Sequence, residues 1–217
     1  MNNFIDFFIE AGKLKDIERS GWVLREVKNP ETIAEHTFRV ALMGWLLADK
    51  KEKLNAERII KMALIHDICE VYAGDITPYD SILPKNKKYL KKLMRTYPRF
   101  SNSEKRELAL EKHKKEWQAL VKITSKLERK LREEILDLWL DYEEGKTKEG
   151  RFLKQVDKVE NLLQALEYWK KDKNFPINPW WIEAREIFND PFLIDFIESL
   201  DKKFHSNEEN TFPHNSQ

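Results

Sequence analysis

The sequence predicts an all-α fold, a compact multi-helix domain, on three observations. Apolar residues recur at three- and four-residue spacing through most of the chain. No run of alternating β-branched residues is long enough for a strand. Only six glycines and eight prolines punctuate 217 residues, so long stretches run uninterrupted.

The elements follow in order. A first helix is expected over residues 3–14, with Phe4, Phe7, Phe8 and Ile9 as its apolar face. GWVLREVKNPE then reads as an extended crossing loop. Thr32 followed three residues later by Glu35, with Pro30 upstream, is a capping box that opens the next helix. Its apolar positions are Ala34, Phe38, Ala41, Leu42 and Trp45. Asn55 N-caps a third helix, with Leu54 and Ile59 placed as a staple. This helix is expected to run through Ile60, Ala63, Leu64 and Ile68 and to stop at Gly74. Residues 75–103, with three prolines and the basic run KNKKYLKKLMR, read as a long loop holding a short helix. A charged helix spans about 104–121. Leu127, Leu131, Ile135, Leu138 and Tyr142 form one stripe ending at Gly145. Phe152, Val156, Val159, Leu163 and Leu166 form another over 150–171. Aromatics crowd 175–196. Residues 1–204 are expected to make one domain, with 205–217 a frayed polar tail.

Composition narrows the function. Charged residues make up 35% of the chain and hydrophobics 41%, too polar for a membrane protein and too apolar for a disordered one. No apolar run approaches the roughly 18 residues of a spanning helix, and the first residues lack the basic start and cleavage site of a signal peptide. A net charge of +1 from 39 basic and 38 acidic residues gives no strong field for nucleic acid. One cysteine, Cys69, excludes a disulfide framework or a multi-cysteine zinc cage. A soluble, cytoplasmic protein is expected, and the richness in Lys and Glu suits a thermophile.

Chemistry concentrates in a few places. His36 and His66 lie in apolar helical stretches, and Asp67 follows His66 inside KMALIHDICEVYAGD. A buried, unpaired carboxylate is costly, and Asp157 in FLKQVDKVENLLQALEYW poses the same problem. Two histidines and two aspartates on three helices can converge on one divalent ion, with positions left open for water. Imidazole ligands favour Mn, Fe, Co, Ni or Zn over Mg or Ca. On an ideal helix Glu70 shares the face of His66 and Asp67, and Asp75 follows the Gly74 turn. Glu35 reads as a capping residue and Cys69 as a packed small hydrophobe. His113 reads as solvent-exposed, and Trp180 and Trp181 as core or dimer contacts. The lysine-rich residues 85–95 read as a solvated face able to gate an anionic substrate.

Three blocks, RSGWVLREVKNPETIAEHTFRVA, ALIHDICEVYAGDITPYD and KQVDKVENLLQALEYW, carry the pattern H…HD…D. In their order and context they resemble the HD-domain metal-dependent phosphohydrolases, and within them the 5′-deoxynucleotidase branch. The resemblance covers roughly residues 14–171. It implies an all-helical HD fold and hydrolysis of deoxyribonucleoside 5′-monophosphates to deoxyribonucleoside and phosphate by a metal-activated water. It implies His36, His66, Asp67 and Asp157 as metal ligands, with Asp67 and Glu70 catalytic. Glu70, Asp75 and the backbone carbonyl of Ile76 are implied for a second ion such as Mg. GDITP becomes a substrate loop, with Asp75 and Thr77 at the substrate and Asp75 on the sugar 3′-hydroxyl. Trp22 screens the sugar 2′ position, and either Arg19 or Arg25 reaches the phosphate. In the bacterial branch an arginine directly precedes this tryptophan. Here Gly21 does, and the R-x-G-W form is that of the eukaryotic branch. Family members resemble one another as homodimers.

Two alternatives stay open. One is an HD phosphohydrolase acting on a nucleoside triphosphate or a cyclic dinucleotide, which the motif alone does not separate. The other is a helical nucleic-acid-binding protein using residues 85–95, against which near-neutral charge argues.

Overall fold

Side-chain caps set where three of the longer helices begin, and one of them is the Thr32–Glu35 capping box read from the sequence. The computed structural model describes residues 1–51, 53–84, 89–90, 93–94 and 100–205. The chain divides into two compact units, Met1–Lys154 and Gln155–Gln217. Among the described residues no β-strand forms, and an isolated bridge joins Glu18 to Thr32. Among the described residues, 89–90 and 93–94 are helical and the bounded helices are α1 (Asn2–Gly12), α2 (Ser20–Val23), α3 (Ile33–Asp49), α4 (Ala56–Ile65), α5 (Glu70–Ala73), α6 (Asn102–Thr124), α7 (Arg129–Glu144), α8 (Lys148–Lys171), α9 (Asn178–Ile187) and α10 (Pro191–His205). Short 3₁₀ turns occupy Lys13–Asp16 and Asp80–Ile82. The all-α expectation is met.

Thr32 and Glu35 exchange side-chain and backbone hydrogen bonds at the start of α3, and Ser101 with Glu104 does the same for α6. Asn55 Oδ1 accepts from Arg58 N at the start of α4. Gly145 closes α7 in the left-handed conformation, φ 60°, its N–H donating to the Asp141 carbonyl.

Three expectations need correction. The segment after Gly21 is not wholly extended, because Ser20–Val23 winds into the single turn α2. The third helix does not run to Gly74: α4 stops at Ile65, residues 66–69 are turn, and α5 follows. Of the apolar stripe expected to bury α3, Ala41 is buried and Ala34 packs on the core, but the large residues face outward, with Phe38 69% and Trp45 50% exposed, while Ile33, His36, Val40 and Gly44 are buried. The physical reason is close packing. Gly44 brings α3 against α4, where a Cβ would stand 2.9 Å from Ile59 Cγ2 and leave no room for large residues. In α1, likewise, Phe4 and Phe7 pack on the core but Phe8 and Ile9 are exposed.

The α3–α4 pair is antiparallel. Gly44 meets Ile59, and eight residues back along α3 His36 meets His66, seven residues on from Ile59. The core of the first unit gathers Ile33, Ile68, Cys69, Leu120, Ile135 and Trp139. A buried ionic cluster ties α4 to α7. Arg58 donates to Asp141 Oδ2 at 2.8 and 3.1 Å, and Thr147 N and Oγ1 donate to the same carboxylate at 2.8 and 2.7 Å.

In the second unit, Gln155 Oε1 accepts from Asn189 N and Asp190 N, and Asp190 Oδ1 caps α10. Trp169 and Trp181 are buried there and flank the His205 ring, at 5.0 and 6.0 Å. Trp181 is thus a core residue. The expected tail begins at His205, which is the last residue of α10; residues 206–217 lie outside the described residues, as does most of the lysine-rich run at 85–95.

Candidate metal centre and active site

The break after α4 creates the site. Ile68 N bonds to the Ile65 carbonyl and Glu70 N to that of Asp67, so the chain tightens to three-residue spacing. At that spacing Asp67 and Glu70 eclipse each other, whereas an ideal α-helix would only place them on one broad face. The tightening deprives the His66 carbonyl of its helical donor. Trp139, wholly buried on α7, supplies one instead: its Nε1 donates to His66 O at 3.0 Å.

His36 is 0% and His66 2% exposed. His66 Nδ1 lies 2.7 Å from the Ala63 carbonyl, an acceptor only, so Nδ1 carries a hydrogen and Nε2 is the atom turned to His36 and Asp67. That Nε2 stands 3.4 Å from His36 Nε2 and 3.2 Å from Asp67 Oδ2, and His36 Nε2 is 3.6 Å from the same oxygen. Two donors each about 2.1 Å from one ion stand about 3.0 Å apart at a right angle and about 3.4 Å at the tetrahedral angle. The triangle therefore has the dimensions of a metal face, built of two imidazole nitrogens and a carboxylate oxygen. Burial opposes ionisation of Asp67, but the His66 and His36 rings and then Arg19 outweigh it and hold the carboxyl below its usual range.

Asp157 lies on α8 in the second unit. It is buried, its Oδ1 accepts from Asn161 Nδ2 at 3.2 Å, and its Oδ2 pairs with Lys158 at 3.0 Å.

Glu70 is 2% exposed, with Oε2 lacking a hydrogen-bond partner. Burial, then the charges of Asp67 and Asp75, push its carboxyl well above the usual range, against Lys112 and Arg19. Burial pushes the Cys69 thiol up as well, which removes it as a nucleophile.

Two of the sequence blocks are stapled together here. Ser20 N donates to Asp75 Oδ2 at 2.6 Å, and Ser20 Oγ to the Asp75 carbonyl at 2.8 Å. Asp75 thus starts α2, placing Arg19 and Trp22 beside the GDITP loop. Arg19 is the arginine whose charge acts on Asp67 and Glu70. Arg25 Nη1 donates to the Gly21 carbonyl at 2.6 Å, and its guanidinium lies over Tyr79. Trp22 is 1% exposed, and its indole N–H donates to Glu31 Oε1 at 2.8 Å. Thr77 gives its hydroxyl and N–H to Asp80, and Ile76 is half-buried. A cavity of about 650 Å³ takes Ser20 and Asp80 in its lining but not His36, His66 or Asp67.

Trp139, Ser20 and Glu31 were not legible as residues that support the site. Only Ser20, the variable position of R-x-G-W, carried a signal. His113 is half-buried rather than solvent-exposed, its ring 5.1 Å from that of Trp139.

A His–His–Asp triangle at a break between packed helices, its imidazoles buried and its carboxylate partly open, could hold a divalent metal in a helical protein. The chain belongs to the HD domain family, whose model matches residues 11–180. It is 35% identical over 212 residues to 5′-deoxynucleotidase HDDC2 of Dictyostelium discoideum, covering 94% of this chain and 92% of that one. It is 32% identical over 206 residues to 5′-deoxynucleotidase HDDC2 of Homo sapiens, covering 94% and 88%. A conserved hypothetical protein from Pyrococcus furiosus superposes with a TM-score of 0.64 at 26% identity, covering 91% of this chain and 99% of that one. The HD domain implies a divalent metal, and the donor set fits one. No helix among the described residues is long and apolar enough to cross a membrane.

Proposed function

We propose that this chain is a 5′-deoxynucleotidase, a phosphoric monoester hydrolase that releases phosphate from deoxyribonucleoside 5′-monophosphates with a divalent metal. One observation carries the reading: the 3.2–3.6 Å triangle of His36, His66 and Asp67 beside buried Glu70, in a chain whose relatives bear that activity in their names. His36, His66 and Asp67 would hold the ion, with Asp157 as fourth ligand. Its burial on a helix with an apolar face supports the role, and we keep residues 1–204 as one domain on that reading.

The imidazoles favour Mn, Fe, Co, Ni or Zn over Mg or Ca, and of these we take manganese or cobalt as the ion. A bound divalent ion supplies a polarised phosphoryl oxygen and water acidic enough to attack near neutral pH. The remaining work belongs to side chains. Glu70, buried with its Oε2 lacking a hydrogen-bond partner, orients the attacking water and takes its proton. Arg19 neutralises the equatorial phosphate oxygens. The Asp75 oxygen not given to Ser20 accepts from the sugar 3′-hydroxyl, with Thr77 beside it in the same loop. Trp22, fixed by Glu31, forms the wall at the 2′ position. Glu70, Asp75 and the Ile76 carbonyl are the set for a second ion such as Mg.

We place the enzyme in the cytoplasm as a homodimer, with no nucleic-acid partner. The outward stripe Phe38, Leu42, Trp45 and Leu46 on α3 supports the dimer as the surface to be covered.

The test is a phosphate-release screen over nucleoside 5′-mono-, di- and triphosphates, ribo and deoxy, with Mn²⁺, Co²⁺ and Mg²⁺. Release from deoxyribonucleoside monophosphates, abolished by chelation and by Asp67→Ala, is the expected result. Pyrophosphate release from triphosphates, or full activity in Asp67→Ala, would overturn it.

A further inference from the structure

We propose that Lys112, held by Glu116, is a phosphate-contacting residue of this site. The inference rests on the phosphomonoesterase reading above and adds a cation to it.

The placement comes from the face of α6. Ala119, Leu120 and Ile123 pack into the core with Ile68 and Cys69, and α6 packs against α5. Moving back along that face by three or four residues reaches Glu116, and by four more Lys112, about one and two helical turns toward the α6 N-terminus. Register is fixed independently by the next residue. The His113 ring lies 5.1 Å from Trp139, the side chain that holds the His66 carbonyl. Lys112 is therefore directed at the level of Asp67 and Glu70, and its ammonium interacts electrostatically with Glu116, Glu70, Asp67 and Asp75 together.

Glu116 is 3% exposed, and its Oε1 stands 3.3 Å from Lys112 Nζ. An ordinary helix-surface pair exposes both heads to solvent, and here the carboxylate is buried and the lysine partly open. A buried anion at the root of a flexible cation fixes where that cation points. An ammonium has three N–H donors, and Glu116 takes one direction of approach. Asp67, Glu70 and Asp75, the carboxylates that Lys112 also acts on, would repel a phosphate dianion unless cations intervene. Arg19 and Lys112 are the cations acting on Glu70. Arg19 reaches it from the R-x-G-W segment and Lys112 from α6, so a phosphate at the metal face can be contacted by both. Lys112 binds the phosphate oxygens and Glu116 positions Lys112.

The experiment uses the full chain loaded with Mn²⁺ and, in parallel, metal-free. Inorganic phosphate is titrated calorimetrically into wild type, Lys112→Met, Lys112→Arg and Glu116→Gln, and kcat and KM are measured for a deoxyribonucleoside 5′-monophosphate. Lys112→Met keeps the apolar stem. It is expected to weaken phosphate binding about tenfold or more and lower kcat/KM about 100-fold, with Mn²⁺ affinity undiminished. Lys112→Arg should bind phosphate within about threefold of wild type. Glu116→Gln should raise KM severalfold while kcat changes less. Should Lys112→Met not fold, Lys112→Gln takes its place with the same expectations. Unchanged phosphate affinity in the neutral variant overturns the proposal, as does an arginine variant no better than the methionine one. A wild type that spares monophosphates overturns the activity reading alone, and the phosphate titrations then still decide Lys112.

Discussion

Replacing Trp139 by phenylalanine tests whether the break after α4 is what builds the metal face. The indole N–H donates to the His66 carbonyl at 3.0 Å, and both groups are buried. Phenylalanine removes this donor and leaves a buried carbonyl with only the weak Cys69 thiol at 4.0 Å, which costs about 1–3 kcal/mol. The smaller ring leaves a void in a core where Trp139 is 0% exposed, adding about 1 kcal/mol. A total of about 2–4 kcal/mol corresponds to a melting temperature lower by about 5–15 °C at this chain length. That carbonyl belongs to a proposed ligand residue, so Mn²⁺ affinity should fall about tenfold as well. Scanning calorimetry of the metal-free protein and a competitive Mn²⁺ titration read the two effects. Trp117→Phe, one ring away at 5.9 Å, is the control for loss of aromatic packing alone. A Trp139→Phe protein that melts within about 2 °C of wild type and binds Mn²⁺ equally would refute the reasoning.

Glu70→Gln keeps size and burial but cannot accept the proton, so kcat should fall about 100-fold or more while Mn²⁺ affinity holds; a loss below about threefold would remove Glu70 from catalysis. Asp141→Asn weakens the cluster with Arg58 and Thr147 and should cost about 3 kcal/mol by urea denaturation, the low end for a broken buried pair because Arg58 is 29% exposed. Burial opposes ionisation of Asp141, but hydrogen bonds from Thr147 and Arg58 hold its carboxyl below the usual range. Its stabilisation is thus full above the unfolded-state value of about 3.9 and is lost as pH falls through the folded one, so wild type and variant should converge in acid. Gly150→Ala would place a Cβ 2.5 Å from the Asp141 carbonyl oxygen and should lower stability by about 1–3 kcal/mol; an unchanged denaturation midpoint would show that α8 shifts freely there.

The helices and their starts were legible because capping is local chemistry. Thr32 with Glu35, Asn55, and Gly145 each act within four residues, and each does what its sequence predicts. The large apolar residues of α3 misled for the complementary reason: hydrophobicity marks a face to be buried without saying against what, and Gly44 alone reveals the intimate side. His66 and Asp67 were legible as a costly doublet in an apolar run, which already asks for a counter-charge.

Sequence alone therefore determined an all-helical chain, its main helix starts and the residue types able to hold a metal, since these follow from neighbours a few positions apart. The tertiary structure decided the rest. Trp139, 73 residues away, occupies the carbonyl that a continuous helix would have used, and Ser20, 55 residues from Asp75, joins the substrate-loop segment to α2. Such bonds depend on which side chains folding brings within about 3 Å, and no local pattern encodes that distance.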